Sequence, residues 1–184
     1  MALVTFEEIK AALPYIEDTD ETMVALLIDE ACARANRYTR RTLESKEHEE
    51  ILDGNGKDFV VLSNWPITDF DEVRIDLERQ FGDDTIIDPG DYSVDTVNAL
   101  VRFVYDLPDY PGCIKVKYTA GYVTVPYDLK GAIIDIVALL WKRRTGGGIG
   151  IKSQAGPDGL NTVYEEGLPW SAVQVLNQYR RILV

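Results

Sequence analysis

The chain has one histidine among 184 residues and two cysteines. So few soft ligands, without close spacing, cannot assemble a structural zinc site, which takes four Cys or His side chains. His48 sits between Glu47 and Glu49 with no nucleophile beside it, so it reads as a surface residue and not as a catalytic base. Cys32 falls in a helix-like run and Cys113 in a strand-like run, and both are expected as buried free thiols. There is no run of about eighteen apolar residues, so no helical membrane span is expected. The start, MALVTFEEIK, carries acid where a secretory signal carries positive charge, and nothing in it suggests export. Basic charge is also scarce, with 19 Lys and Arg against 31 Asp and Glu, a net charge of −12. A protein that grips nucleic acid through phosphates needs a basic face, and this balance argues against that as the main activity.

The acid is unevenly spread. Residues 1–50 hold 12 acidic and 6 basic side chains, residues 51–125 hold 14 and 6, and residues 126–184 hold 5 and 7. The middle is therefore acidic and the last third slightly basic. With 46% hydrophobic residues the chain can bury one sizeable core, which points to a single elaborated domain over 1–184.

Thr5 followed by Glu8 makes a capping box for a short helix that Pro14 ends or follows. A longer helix runs through DETMVALLIDEACARANRYTRR, capped by Asp18 or Thr19. Its apolar face is Val24, Leu27, Ile28, Ala31, Ala35 and Tyr38, and its last turns are crowded with arginine. Near residue 48 the period changes to alternation. EEILDGNGKDFVVLSNWPI reads as strand, tight turn, strand, with Gly54, Asn55 and Gly56 in the turn. DEVRIDL, DYSVD, ALVRFVY and CIKVKYTAGYV continue the pattern, so 48–123 is expected to be an antiparallel β module of five or six short strands. Helix returns at VPYDLKGAIIDIVALLWKRRT, with Leu129, Ala132, Ile133, Ile136, Val137, Leu140 and Trp141 on its apolar face. A last helix is expected in LPWSAVQVLNQYRRILV. The fold class is α+β: a mainly helical core of about four helices (1–46 and 124–184), with the β module inserted between the second and third.

Between the last two helices lies GGGIGIKS, which invites comparison with a phosphate-binding loop. The Walker pattern needs glycine before the Lys-Ser pair, and Ile151 stands there. Such a loop also joins a strand to a helix, whereas a helix precedes this one. The dinucleotide pattern fails too, because its last glycine falls on Ile151 or Ser153. Residues 146–167 therefore read as a glycine-rich mobile loop. DGNGKD lacks the ligand spacing of a calcium loop, and the acidic cluster at Asp83, Asp84, Asp88 and Asp91 reads as solvated surface. No catalytic residue, metal site or cofactor is expected.

Taken in order, FEEIKAAL, DETMVALLIDEACARANRYTRR, LDGNGKDFVVLSNWPI, KYTAGYVTVPYDLKGAIIDIVALLWKRR, GIGIKS and LNQYRRILV resemble the head–tail connector (adaptor) proteins of tailed double-stranded DNA phages. The most specific run is YTAGY with Val125-Pro126 and Asp128-Leu129-Lys130, then KRR, then GIKS. The resemblance covers nearly the whole chain except the acidic stretch 69–112, and a prophage source fits equally. It implies a structural virion protein: a homo-oligomeric ring, usually a dodecamer, beneath the portal protein. Such a ring extends the DNA channel and offers a platform to stopper or tail-completion proteins. Genomic DNA passes without specific binding, and no membrane is involved. The protein would sit at the head–tail interface of the virion, after assembly in the host cytoplasm, and its free subunit can be monomeric.

On this reading residues 146–167 face a partner or the lumen and become ordered on assembly. Gly148, Gly150, Lys152 and Ser153 are candidate assembly contacts there, while Arg143, Arg144, Arg180 and Arg181 are candidates for pairing with an acidic neighbour. The alternatives are a monomeric protein-binding adaptor module and a nucleotide-binding enzyme using the glycine-rich loop.

Overall fold

A computed structural model describes residues 3–146, 153–155, 161–163 and 167–181. The chain divides into two compact units, one built from residues 1–41 and 124–184, the other from 42–123.

The first unit is helical. Helix α1 (Phe6–Ala12) starts on the expected capping box: the Thr5 hydroxyl accepts from the Glu8 amide at 3.3 Å, and the Glu8 carboxylate accepts from the Thr5 amide at 2.9 Å. Helix α2 (Glu21–Thr39) is not capped by Asp18 or Thr19. Those residues form a single 3-10 turn, tied off by the Asp20 carboxylate accepting from the Glu17 amide at 2.9 Å. Val24, Leu27, Ile28, Ala31 and Ala35 are buried as their spacing predicts. Helix α3 (Tyr127–Thr145) follows Pro126 and buries Leu129, Ala132, Ile133, Ile136, Val137 and Leu140. At about 1.5–3 kcal/mol for each large side chain removed from water, this face is a main source of the unit's stability.

Helix α4 (Trp170–Leu176) is shorter than the sequence suggests. It tightens into a 3-10 turn over Asn177–Tyr179 and then extends at Arg180. Tertiary hydrogen bonds replace the missing helical turns. Asn177 accepts from the Tyr38 hydroxyl at 2.7 Å, Tyr179 donates to Asp128 at 2.8 Å, and the Arg181 amide donates to the Thr39 carbonyl at 2.8 Å. Upstream, where glycine content suggested irregular chain, strand β7 (Ser153–Ala155) pairs antiparallel with β8 (Asn161–Val163).

The second unit holds six strands in two three-stranded antiparallel sheets. One has the order β1-β6-β3, from β1 (Lys46–Leu52), β6 (Ile114–Ala120) and β3 (Ile67–Ile75). The other has the order β2-β5-β4, from β2 (Phe59–Val61), β5 (Leu100–Phe103) and β4 (Tyr92–Asp95). The expected hairpin across Gly54–Gly56 is therefore absent: β1 pairs with β6 and β2 with β5. The chain leaves one sheet for the other at this point. Of the three turn residues only Gly56 has positive φ. Gly54 serves close approach instead, because a Cβ there would lie 1.8 Å from the Pro108 carbonyl oxygen.

Strand β6 shows strict alternation. Ile114, Val116, Tyr118 and Ala120 are buried in a core that also takes Val60, Leu62, Val101 and Phe103 from the other sheet's side. Its opposite face carries Lys115 and Lys117, which reach Glu49 (2.7 Å) and Glu72 (3.4 Å) on the flanking strands. The two ends of the unit lie side by side, since the Tyr122 amide donates to the Leu43 carbonyl at 2.9 Å and Glu44 bridges Tyr122.

Candidate assembly surfaces

The lone histidine is the only imidazole available for chemistry. His48 lies within β1, half-buried and not simply on the surface. Its ring packs on that of Tyr118, with centroids 5.4 Å apart. The Asn64 side-chain amide approaches Nδ1 at 3.4 Å and donates to the Glu50 carboxylate at 3.2 Å. The Tyr118 hydroxyl donates to the same carboxylate oxygen at 2.5 Å and accepts from the Asn64 backbone N–H at 3.3 Å. The Asn64 side-chain oxygen Oδ1 accepts from the Thr42 backbone amide at 2.8 Å. Burial pushes the Tyr118 phenol far up, and its bond to Glu50 adds to this. Burial also lowers the His48 imidazole, against the pull of Glu50. A donor facing Nδ1 fits the neutral Nε2–H tautomer. The cluster thus pairs the polar groups of Tyr118, Glu50 and Asn64, while His48 Nε2 is buried without a hydrogen-bond partner. No group of three metal-ligating side chains occurs among the described residues.

The basic residues expected to face neighbours fall into two places on the helical unit. Arg144, in the last turn of α3, donates to Glu30 of α2 at 2.9 Å, and Glu30 also accepts from Arg34 at 2.7 Å. Burial raises the Glu30 carboxyl, but these two guanidinium contacts outweigh it and hold it below its ordinary value. Arg144 is therefore engaged within its own subunit, clamping α3 to α2. Arg143 is half-buried in the same turn. Arg180 places its guanidinium 5.8 Å from the Tyr38 ring centre, a cation–π contact. Arg181 is half-buried and tied to Thr39 through its backbone. Ser153 begins β7 opposite Val163. Gly148, Gly150 and Lys152 lie outside the described residues, as does most of the 146–167 segment.

The Tyr38 ring under Arg180 also lines a groove. This groove, of about 500 Å³, runs between α2 and the start of α4, lined by Arg34, Arg37, Tyr38, Gly167, Leu168 and Val173. Tyr38, Leu168 and Val173 give it apolar surface, and Arg34 and Arg37 line it with guanidinium groups. Their spacing of three residues, with Tyr38 beside them, was the signal available in the sequence.

A helical unit interrupted by an acidic two-sheet unit can now be compared with known proteins. The family model described as "Head completion protein" matches residues 2–182. The chain belongs to the head completion protein family. Its role as a head–tail connector, a structural part of the virion, goes with that membership. Among solved structures, this family member is similar to a chain of the neck of an empty GTA particle, computed with C6 symmetry. The TM-score is 0.67 at 18% identity, over 99% of this chain and 91% of that one. A chain of the neck of the native GTA particle, computed with C12 symmetry, gives 0.65 at 17% identity, over 97% and 88%. A chain of the virion of the native gene transfer agent particle gives 0.61 at 18%, over 90% and 80%. At these identities the likeness is one of fold. No curated protein matches at a comparable level.

Proposed function

We propose that copies of this chain close into a ring beneath the portal of a filled head, extend the channel through which the genome moves, and give stopper or tail-completion proteins a platform. The observation that carries the reading is the combination of membership over residues 2–182 with a fold shared, nearly end to end, with chains from particle necks computed at C6 and C12 symmetry. The role is non-catalytic on this reading. The single histidine is committed to packing on Tyr118, and Ile151 occupies the glycine position of a phosphate loop.

Charge fits a conduit. Each Lys or Arg that neutralises a phosphate adds affinity, which a channel for moving DNA must avoid. A net charge of −12 leaves little such affinity. Electron microscopy of the purified protein mixed with portal-bearing heads tests the proposal. Rings docked coaxially on the portal are expected, whereas single copies scattered on the head or bound as monomers would overturn it in favour of a monomeric adaptor.

A further inference from the structure

We propose that the groove between α2 and α4 is one half of the contact between copies, and that the acidic segment 83–91 of the neighbouring copy fills it. The inference rests on the ring reading and assigns its subunit contact. The groove is lined by apolar side chains (Tyr38, Leu168, Val173) and by two arginines (Arg34, Arg37), and Arg180 lies over the same tyrosine. Arg34 is held by Glu30, while Arg37 is exposed and Arg180 is drawn to the ring face, so these two are placed to meet an incoming anion. Two guanidinium groups lining one groove, with a third on its tyrosine, stand out in a chain of net charge −12. The occupant must combine carboxylates with an apolar side chain.

The chain carries such a segment on its other unit. Asp83, Asp84, Asp88 and Asp91 are exposed, and Ile86 among them is 43% exposed. Ile87 packs on the β core, and the backbone at Ile86 and Asp88 is extended, so those two side chains point away from the core. The segment is held in shape before binding. Arg74 donates to the Phe81 carbonyl at 2.6 Å and to Asp83 at 3.3 Å, and the Ile87 amide donates to the Val73 carbonyl at 2.9 Å. A preformed loop loses little entropy on docking. Ile86 entering the groove between Arg37 and Arg180 would bring Asp84 and Asp88 to the guanidinium groups, where charge-assisted hydrogen bonds are strongest. Groove and loop are different patches, so the contact is heterologous. Each copy gives its groove to one neighbour and its loop to the other, a head-to-tail contact that closes into a ring when the rotation between copies divides a full turn. A nucleic-acid strand fits less well, because tracking phosphates needs a basic stripe and this chain is acidic overall.

The test is a charge swap read by ring formation, using sedimentation and electron microscopy on the full chain with and without portal-bearing heads. Arg37→Glu with Arg180→Glu, and separately Asp84→Arg with Asp88→Arg, are each expected to raise the concentration for half-assembly at least about tenfold. Placing all four changes in one chain is expected to restore assembly to within about threefold of the original, since opposite signs meet again. Circular dichroism melts establish that every variant is folded. Folded pair variants that assemble like the original chain overturn the contact, and so does a folded four-site variant that stays unassembled. Variants that form normal rings but fail to dock on the portal would also overturn it, assigning the groove to that partner. If the unaltered chain forms no ring in any of these conditions, the ring reading falls and the contact falls with it.

Discussion

At the residue scale the cluster around Tyr118 couples stability to pH. The folded state holds His48 below its ordinary value of 6.5, chiefly because burial disfavours the charged ring. Between the lowered folded value and 6.5 the unfolded chain binds a proton that the folded chain does not. The contribution is therefore fully present above pH 6.5 and is lost as pH falls through the folded value. The site is half-open, so solvent screening keeps the effect small. A melting series from pH 7.5 to 5 should show this decline in the original chain, and His48→Gln should flatten it. A second and steeper loss belongs to the carboxylates. Glu8, held low by Lys130, and Glu72, held low by Arg74, keep their contributions above pH 4.5 and lose them as pH falls through their folded values. Both forms should share that acid limb. An unchanged slope above pH 5 in the histidine variant would show that the imidazole does not titrate with folding.

At the scale of elements, two glycines on either side of the β6–α3 junction should respond in opposite ways. Gly121 has φ +113°, and a Cβ on it would meet the Glu44 carbonyl oxygen at 2.2 Å, where only backbone movement gives relief. Gly121→Ala is expected to cost more than about 2 kcal/mol in urea unfolding. Gly131 lies on the exposed side of α3 with nothing within 4 Å of a built Cβ, so Gly131→Ala should stabilise by about 0.5–1 kcal/mol. Equal effects of the two changes would contradict this account of the local backbone. The same contrast explains what could be read from sequence. The α2 and α3 faces were legible because Val24 to Ala35 and Leu129 to Leu140 repeat at the helical period, which is local information. The strand segments were legible from alternation, but their partners were not: Lys46–Leu52 pairs with Ile114–Ala120, far along the chain, and no local pattern encodes that choice. DGNGKD looked like a hairpin because its composition suits one, yet Gly54 is there for its closeness to Pro108. Asn177 and Tyr179 belong to a helical pattern until Tyr38 and Asp128 claim their side chains. The groove was hidden for the same reason, since Arg34 and Arg37 meet Leu168 and Val173 only in three dimensions.

At the scale of the whole molecule the division of charge matters more than its sum. Residues 42–123 form the acidic unit, and the guanidinium-lined groove belongs to the helical one. The acidic unit enters and leaves by neighbouring strands, with Leu43 and Tyr122 joined by a backbone hydrogen bond. A segment whose ends already touch can be cut out at little cost in loop closure. Residues 42–123 alone should fold, and 1–41 joined to 124–184 by about three small residues should fold as well. Dispersed amide resonances from both pieces would bear this out, and collapsed spectra from either would not. A stem of two adjacent strands also behaves like a socket in which one β cartridge can be exchanged for another. Chains sharing the helical base could then differ in the insert they carry without any redesign of the base itself.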